Sequence, residues 1–313
     1  MRVIVAKPRG FCAGVDRAIE IVEQALDIYG PPIYVRHAIV HNKRVVESLK
    51  TKGVRFVEEL DEIEDKNARV IFSAHGVSPS VLEDAKERGL EVVDAVCPLV
   101  TKVHNEVKHY ADLGFTIVLI GHRNHVEVIG TSGEAPDKVL IVESVEEAED
   151  LSVPDAGRVA YVTQTTLSVD DTKDIVEALK RRFPRIVSPS KLDICYATQN
   201  RQDAVKELSK VADVIFIMGS PESSNSNRLV EVAKSTGVKA AYLIEGADNL
   251  KRAMFRDDTI VGLSSGASTP ETVVQEVIDR LVEFGADSIK ELNGNEEHTR
   301  FPFLDLLQFS DPS

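Results

Sequence analysis

The chain has 313 residues, of which 43% are hydrophobic and 28% charged, a composition typical of a packed globular protein with two or three domains. Its formal net charge of −14 and its aromatic content of 5% argue against nucleic acid as the main partner, because such binding depends on a basic surface. No stretch approaches the roughly 18 apolar residues of a membrane span, and the opening run lacks the apolar core of a signal peptide, so a cytoplasmic protein is expected.

Short apolar runs rich in β-branched residues alternate with helical patterns along the chain. In chain order, the runs that predict strands cover residues 3–6, 33–35, 70–72, 117–120, 159–162, 214–218 and 260–263. Clear helical patterns cover residues 16–29, 171–183 and 202–211. The alternation predicts an α/β protein with parallel sheets. In such sheets, ligands gather beyond the carboxyl ends of the strands.

Polar loops follow six of the predicted strands. They cover residues 36–42, 73–76, 121–127, 163–166, 219–228 and 264–268. Six loops divide evenly among three units. This pattern predicts three lobes around one shared pocket, each contributing two loops rich in hydrogen-bond donors.

The three cysteines, Cys12, Cys97 and Cys195, each stand directly before a helical pattern. Each also follows an apolar run, so we predict that all three occupy strand-to-helix junctions in three diverged copies of one α/β unit. A helix N-terminus favours the thiolate, which is the form that binds metal. Disulfides are not expected in a reducing compartment.

Three converging thiolates suit either a zinc ion with a histidine as fourth ligand or an iron–sulfur cluster. Structural zinc sites usually draw on close pairs such as C-x-x-C, which this chain lacks. A 4Fe–4S cluster with three cysteine ligands would keep one iron open for a substrate, as catalytic metal sites do. The sequence favours the cluster. Two alternatives stay open: a zinc hydrolase of phosphorylated metabolites and a non-enzymatic iron–sulfur sensor.

The loops also carry side chains suited to a diphosphate. His41, His75 and His125 lie at predicted strand ends and can each donate to a phosphate oxygen. Short neutral donors in Gly/Ser-rich turns are supplied by Ser223, Ser224, Asn225 and Ser268. The chain has neither a P-loop motif nor a G-x-G-x-x-G motif, which disfavours P-loop phosphoryl transfer and dinucleotide chemistry.

Glu127 lies two residues after His125 in the same loop. A carboxyl group in a low-dielectric pocket can serve as a proton donor, and we predict this role for Glu127. Thr165 and Thr166 can pass protons onward or orient a substrate hydroxyl. His104 and His109 lie within a helical pattern and are predicted to be structural.

Eight motifs carry a family resemblance. In chain order they are PRGFCAGVDRAI, YVRHAIVHN, FSAHGVS, CPLVTKVH, TQTTLSVDDT, DICYATQNRQ, SSNSNRL and GASTP. Together they closely resemble the LytB/IspH family of 4-hydroxy-3-methylbut-2-enyl diphosphate reductases over nearly the whole chain. The resemblance implies the last step of the methylerythritol phosphate route to isoprenoids. That step is a two-electron reductive dehydroxylation that yields isopentenyl and dimethylallyl diphosphate.

The resemblance also implies a role for each matching residue. Cys12, Cys97 and Cys195 would bind one 4Fe–4S cluster, and Glu127 would be catalytic together with Thr165. The implied substrate ligands are His41, His75, His125, Thr165, Thr166, Ser223, Ser224, Asn225 and Ser268. A ferredoxin or flavodoxin is the implied electron donor.

The fold implied by the resemblance is a trefoil of three α/β lobes with small parallel sheets around the cluster. Residues 1–13 are expected to form an N-terminal strand and the first cysteine loop, pairing with the third lobe. The lobes are expected at residues 14–96, 97–194 and 195–283, with a C-terminal tail at 284–313. The chain departs from the family pattern where Val126 replaces a common proline and where Pro221 and Glu222 replace a basic-polar pair. These departures bear on loop rigidity and affinity.

Overall fold

The computed structural model describes residues 1–302. Within them the strands are β1 (Arg2–Val5), β2 (Ile33–Arg36), β3 (Val54–Val57), β4 (Arg69–Phe72), β5 (Glu91–Asp94), β6 (Thr116–Ile120), β7 (Val139–Val142), β8 (Val159–Thr163), β9 (Val214–Met218), β10 (Ala240–Ile244), β11 (Ile260–Ser265) and β12 (Ser288–Glu291). The α-helices are α1 (Ala13–Tyr29), α2 (Lys43–Thr51), α3 (Pro79–Glu87), α4 (Pro98–Asp112), α5 (Val126–Ser132), α6 (Val145–Asp150), α7 (Val169–Arg182), α8 (Tyr196–Ser209), α9 (Ser224–Ser235) and α10 (Glu271–Glu283).

The chain divides into two compact units. The first unit contains Met1–Ala13, His41–Val45 and Tyr196–Arg300, and the second contains Gly14–Val40 and Val46–Cys195. The first unit is therefore assembled from three segments that are far apart in the sequence.

The first unit is built on a five-stranded parallel sheet in the order β10-β9-β11-β1-β12. The N-terminal strand β1 lies between two strands from the far end of the sequence, with Arg2 opposite both Ile260 and Ser288. The second unit contains two smaller parallel sheets, in the orders β3-β2-β4-β5 and β7-β6-β8.

The apolar run of β9 shows why the central strands have no polar face. Phe216 and Met218 pack with α10 on one side of the sheet, and Ile215 and Ile217 pack with α8 and α9 on the other. Successive side chains of a strand point to opposite faces. A parallel strand covered on both faces therefore needs an uninterrupted apolar run.

The predicted fold class is confirmed: the protein is α/β, with three small parallel sheets in the described residues. All seven predicted strands are present. The strands that the sequence did not reveal are β3, β5, β7, β10 and β12, and each is an edge strand of its sheet. An edge strand needs less apolar surface, as in β12, whose SIKE sequence is exposed at three of four positions.

One prediction about the cysteines is wrong in part. Cys12 and Cys97 do follow strands, but residues 188–194 before Cys195 form no strand in the described chain. The nearest pairing upstream is a single bridge between Ala160 and Val187. The helix after Cys195 also begins six residues earlier than predicted. The first turns of this helix bury polar side chains, Thr198 and Arg201 among them. The periodicity of apolar residues therefore does not reveal these turns.

The proposed lobe boundaries stay a prediction. Of the expected C-terminal tail at 284–313, residues 303–313 lie outside the described residues. Among the helices of residues 1–302, none combines the length and the apolar content needed to cross a bilayer.

Candidate active site

In the second unit, both cysteines are fixed to loops that carry predicted site residues. Cys97 is the N-cap of α4, and its backbone N–H donates to the Ala74 carbonyl at 3.0 Å. The Cys195 N–H donates to the Thr165 carbonyl at 3.1 Å. Both cysteines are half-buried and form no disulfide. The loop after β4 and the loop after β8 thus each hold one thiol.

The histidines of this unit meet edge to face. The rings of His75 and His125 lie 5.9 Å apart between centroids, with an interplanar angle of 85°. His125 is the N-cap of α5, where its Nδ1 accepts the Glu127 N–H at 3.2 Å. Because Nδ1 accepts, the proton of the neutral ring lies on Nε2. His125 therefore presents Nε2–H as a donor.

Glu127 is the buried acid of the site. Its side chain lies in the first turn of α5, and only 3% of the residue is exposed. The carboxylate accepts the backbone N–H of Thr165 at 2.7 Å and the Thr165 hydroxyl at 3.0 Å. These two bonds connect the start of α5 with the loop after β8, so the predicted proton donor and its threonine are in direct contact.

Burial raises the pKa of Glu127 to about 7, against the effect of the two hydrogen bonds from Thr165. The negative charge of Asp193 raises it further. The pKa of Asp193 is itself raised to about 7 by burial, although Lys102 opposes the shift. Near neutral pH, Glu127 is therefore poised between its acid and carboxylate forms.

Two buried residues that sequence reasoning missed support these loops. The Gln164 side chain accepts the His122 N–H at 3.0 Å and donates to the Thr166 hydroxyl at 2.9 Å. Thr166 thus faces Gln164, while Thr165 contacts Glu127. The Asp193 carboxylate accepts the Thr163 N–H at 2.8 Å and the Lys102 ammonium at 2.6 Å. For Gln164, the only indication in the sequence is its position within the TQTT segment, beside the two predicted threonines. Nothing in the sequence paired Lys102 with Asp193.

In the first unit, the Cys12 N–H donates to the Ala267 carbonyl at 3.2 Å. One residue further, the Ser268 hydroxyl donates to the His41 carbonyl at 3.0 Å. The loop after β11 therefore contacts both the cysteine segment and the histidine segment. His41 and Ser268, both predicted substrate ligands, therefore lie in contacting segments of this unit.

The N-terminus of α9 carries the remaining predicted ligands. Ser223 is its N-cap, and the Ser223 hydroxyl accepts the Ser226 N–H at 3.3 Å. Asn225 is 5% exposed, and within residues 1–302 neither its amide nitrogen nor its amide oxygen has a hydrogen-bond partner. A buried amide without partners costs folding free energy. Such an amide at a helix N-terminus is suited to an anion.

The loop after β11 approaches this helix closely at Gly266. A Cβ atom built on Gly266 would overlap the Ser226 hydroxyl and would meet the Asn225 amide nitrogen at 3.5 Å. Glycine at this position therefore lets the backbone of the Ser268 loop lie beside Asn225. Ser224 opens the same helix. The serine and asparagine donors of the prediction thus occupy adjoining segments of one unit.

Comparison with known proteins bears on these arrangements. The model of the LytB protein family matches residues 3–282. The chain belongs to the LytB family. A relative from Aromatoleum aromaticum, named 4-hydroxy-3-methylbut-2-enyl diphosphate reductase, is 54% identical over 309 residues, 99% of this chain and 98% of the relative. A relative of the same name from Ralstonia nicotianae is 54% identical over 98% of this chain and 94% of its own length.

Two solved structures of LytB-type reductases resemble this fold. The E-1-hydroxy-2-methyl-but-2-enyl-4-diphosphate reductase of Plasmodium falciparum is 40% identical, with a TM-score of 0.92 over 96% of this chain and 95% of its own. A second structure, described as (E)-4-hydroxy-3-methyl-but-2-enyl diphosphate reductase, the terminal enzyme of the non-mevalonate pathway, is 35% identical with a TM-score of 0.64, over 90% of this chain and 100% of its own. The family resemblance read from the motifs is confirmed.

The raised pKa of Glu127 gives a first prediction. The infrared carbonyl band of its protonated carboxyl group should lose intensity as the pH rises through about 7, because the folded protein holds this proton to higher pH than a solvated glutamic acid does. Infrared spectra between pH 5 and 9 measure the band. It should be missing in Glu127→Gln.

Asp193 titrates in the same range, so Asp193→Asn separates the two groups. Removing the Asp193 charge should also lower the apparent pKa of Glu127, because each of two neighbouring acids raises the pKa of the other. A Glu127 band that disappears near pH 4.5 in the wild-type protein would contradict the burial argument.

The amide of Asn225 gives a second prediction. Asn225→Leu should raise the melting temperature, because an apolar group of similar shape replaces a buried amide without partners. It should also weaken binding of inorganic pyrophosphate by about tenfold or more, since a hydrogen bond to a charged group contributes ~1.5–3 kcal/mol. Calorimetry of folding and of binding measures both changes.

The matched control is Asn227→Leu on the same helix. The Asn227 amide donates to the Pro221 carbonyl at 2.7 Å and to the Ser223 carbonyl at 3.0 Å, so this substitution should lower the melting temperature. If both leucine variants lower it, Asn225 is an ordinary structural amide.

Proposed function

We propose that this protein is an iron–sulfur reductase that converts 4-hydroxy-3-methylbut-2-enyl diphosphate into isopentenyl and dimethylallyl diphosphate by two-electron reductive dehydroxylation. The names of its relatives and their coverage of the chain support the substrate and the reaction. The observation that carries the chemistry is the buried Glu127 carboxyl group, bonded to Thr165 and titrating near neutral pH. A reductive dehydroxylation needs such a proton source for its leaving hydroxyl.

We propose Cys12, Cys97 and Cys195 as the ligands of one 4Fe–4S cluster. The donor set is suited to it, since thiolates are the ligands that iron–sulfur clusters take and each cysteine directly precedes a helix. When bound, the cluster supplies electrons and one iron that lacks a cysteine ligand. The backbone bonds of Cys97 to Ala74 and of Cys195 to Thr165 support thiols held at fixed positions, as a preorganised metal site requires.

The diphosphate would be held by hydrogen-bond donors at the predicted positions. Asn225 offers a buried amide, Ser223 caps α9, and Ser268 lies in the loop beside them. His125 offers Nε2–H. A helix N-terminus with neutral donors favours a phosphate without requiring a basic protein, which agrees with the net charge of −14.

Glu127 would protonate the hydroxyl that leaves as water. Its carboxyl group holds a proton at neutral pH because burial disfavours the charged form. The Thr165 hydroxyl, 3.0 Å from the carboxylate, would orient the substrate alcohol toward that proton. Thr166, bonded to Gln164, would keep the loop in place. Holding the acid and the substrate alcohol in one geometry lowers the entropic part of the activation barrier.

We propose a small electron-transfer protein, a ferredoxin or a flavodoxin, as the electron donor. We propose a cytoplasmic location, because three reduced thiols persist in a reducing compartment.

No specific observation favours the two alternatives, a zinc hydrolase or a non-enzymatic iron–sulfur sensor. Anaerobic preparations decide among the three functions. The reductase requires iron and sulfide at about four each per chain and substrate-dependent oxidation of a reduced dye. Zinc without sulfide indicates the hydrolase, and a cluster without turnover indicates the sensor.

Substitution of the proposed acid gives a third prediction. Glu127→Gln should lower turnover by about 100-fold or more, the usual contribution of a general acid, while the cluster content stays at the wild-type level. Anaerobic dye oxidation and iron analysis measure the two quantities. In the wild-type enzyme the turnover number should fall as the pH rises through about 7, because Glu127 then loses its proton.

Glu143→Gln is the matched control, since Glu143 is a partly exposed carboxylate that pairs with Arg123. It should keep both turnover and pH profile. Wild-type turnover in Glu127→Gln would remove Glu127 from the proton pathway.

Substitution of a proposed ligand gives a fourth prediction. Cys97→Ser should leave a protein with little iron and sulfide, because a serine hydroxyl does not supply the thiolate that the cluster requires. Iron and sulfide analysis together with the visible spectrum measures the loss. A fully loaded, stable cluster in Cys97→Ser would contradict the ligand assignment.

A further inference from the structure

Arg201 is a fully buried cation beside the Cys12 loop, which we define as residues 6–12. It is the largest side chain in the described residues with less than 2% exposure, and its own exposure is 0%. Its Nη2 donates to the Gly10 carbonyl at 2.7 Å and to the Phe11 carbonyl at 3.4 Å. Arg201 thus binds the backbone of the two residues directly before Cys12.

The carboxylate that neutralises Arg201 comes from the C-terminal strap, which we define as residues 292–299. Nη1 of Arg201 donates to both oxygens of Glu297, at 3.0 and 3.2 Å, and the side chain of Glu297 is only 14% exposed. The Asn200 amide donates to the same carboxylate at 3.1 Å. A buried guanidinium without its carboxylate is strongly unfavourable. The strap therefore completes the contact that Arg201 makes with the loop.

Further contacts hold the strap in place along its length. At its start, the Leu292 N–H donates to the Val5 carbonyl at 2.9 Å. In the middle, Gly294 lies so close to Lys7 that a Cβ atom on Gly294 would overlap the Lys7 carbonyl oxygen. Near its end, the Thr299 side chain is hydrogen-bonded to the Tyr196 hydroxyl.

Tyr196 extends the same network to the residue after Cys12. Its hydroxyl is hydrogen-bonded to the backbone of Ala13 as well as to Thr299. The backbone on both sides of Cys12 is thus bound by side chains of α8, Arg201 before the cysteine and Tyr196 after it. Each of these side chains is bound in turn by the strap.

We propose that the C-terminal strap is a positioning element for Cys12 and acts through the buried pair of Arg201 and Glu297. Only the importance of Cys12 as a cluster ligand rests on the proposed function. The positions of the strap, the loop and the ion pair do not. Glu297 is accordingly a positioning residue, and Cys12 should become mobile when the pair is broken.

Thiol reactivity tests the proposal one cysteine at a time. The full-length chain, freed of metal by a chelator under anaerobic conditions, is alkylated with iodoacetamide, and the peptides of Cys12, Cys97 and Cys195 are quantified by mass spectrometry. Glu297→Gln should raise the alkylation rate of Cys12 by about tenfold, because opening of the loop becomes less costly. The rate of Cys97 should stay within about twofold of wild type, since independent regions open separately.

Three further variants complete the experiment. Gly294→Ala displaces the strap while keeping both charges, and it should reproduce the rise at Cys12. Glu297→Asp keeps the charge and should give a rate between those of wild type and Glu297→Gln. Glu296→Gln alters the neighbouring carboxylate, which is 66% exposed, and should match wild type. If Glu297→Gln does not fold, Gly294→Ala and Glu297→Asp provide the test.

The proposal is overturned if the alkylation rate of Cys12 stays within about twofold of wild type in both Glu297→Gln and Gly294→Ala, because a local opening of the loop would raise the rate by more than that. An equal rise at Cys97 also overturns it, because it indicates general destabilisation. In the cluster-loaded protein, Glu297→Gln should release iron to a chelator faster than Glu296→Gln does. If the preparations hold no cluster, the proposed function fails, and the alkylation result still decides whether the strap positions Cys12.

Discussion

The proposed chemistry depends on one buried carboxyl group, that of Glu127. Two hydrogen bonds from Thr165 favour its ionised form, whereas removal from water favours its neutral form. The cost of desolvation is the larger effect, so the group keeps its proton near neutral pH. The same hydrogen bonds fix the carboxyl group against the loop after β8. A single residue is thereby both held in place and supplied with a proton, as a general acid requires.

Buried ion pairs recur beside the cysteine loops. In the second unit, Lys102 of α4 binds Asp193, two residues before Cys195. In the first unit, Arg201 binds Glu297 and the loop before Cys12. Replacing such pairs by apolar residues is often neutral or stabilising, so net stability is a weak explanation for them. Their geometry is more informative, because each pair fixes a short irregular segment that has no sheet partner of its own.

The sequence predicted the central strands and the loops at their ends, because an apolar run and the polar residues after it are local signals. It missed every edge strand except β8, because the residues of an edge strand need little burial. It also missed Gln164, Asp193 and Glu297, since their importance comes from partners far away in the chain. The motif resemblance supplied roles for Glu127 and the cysteines. The unpartnered Asn225 amide and the Glu127–Thr165 contact became visible only in three dimensions.

The position of β1 has a consequence for biosynthesis. This strand leaves the ribosome long before β11 and β12, the two strands between which it lies. Until β11 has been translated, β1 has no neighbour in its sheet, and the carbonyl of Ala267 that receives the Cys12 N–H does not yet exist. Pairings between distant segments form late. Cys12 therefore reaches its final environment only after β11 and the loop that follows it have been synthesised, although it is among the first residues translated.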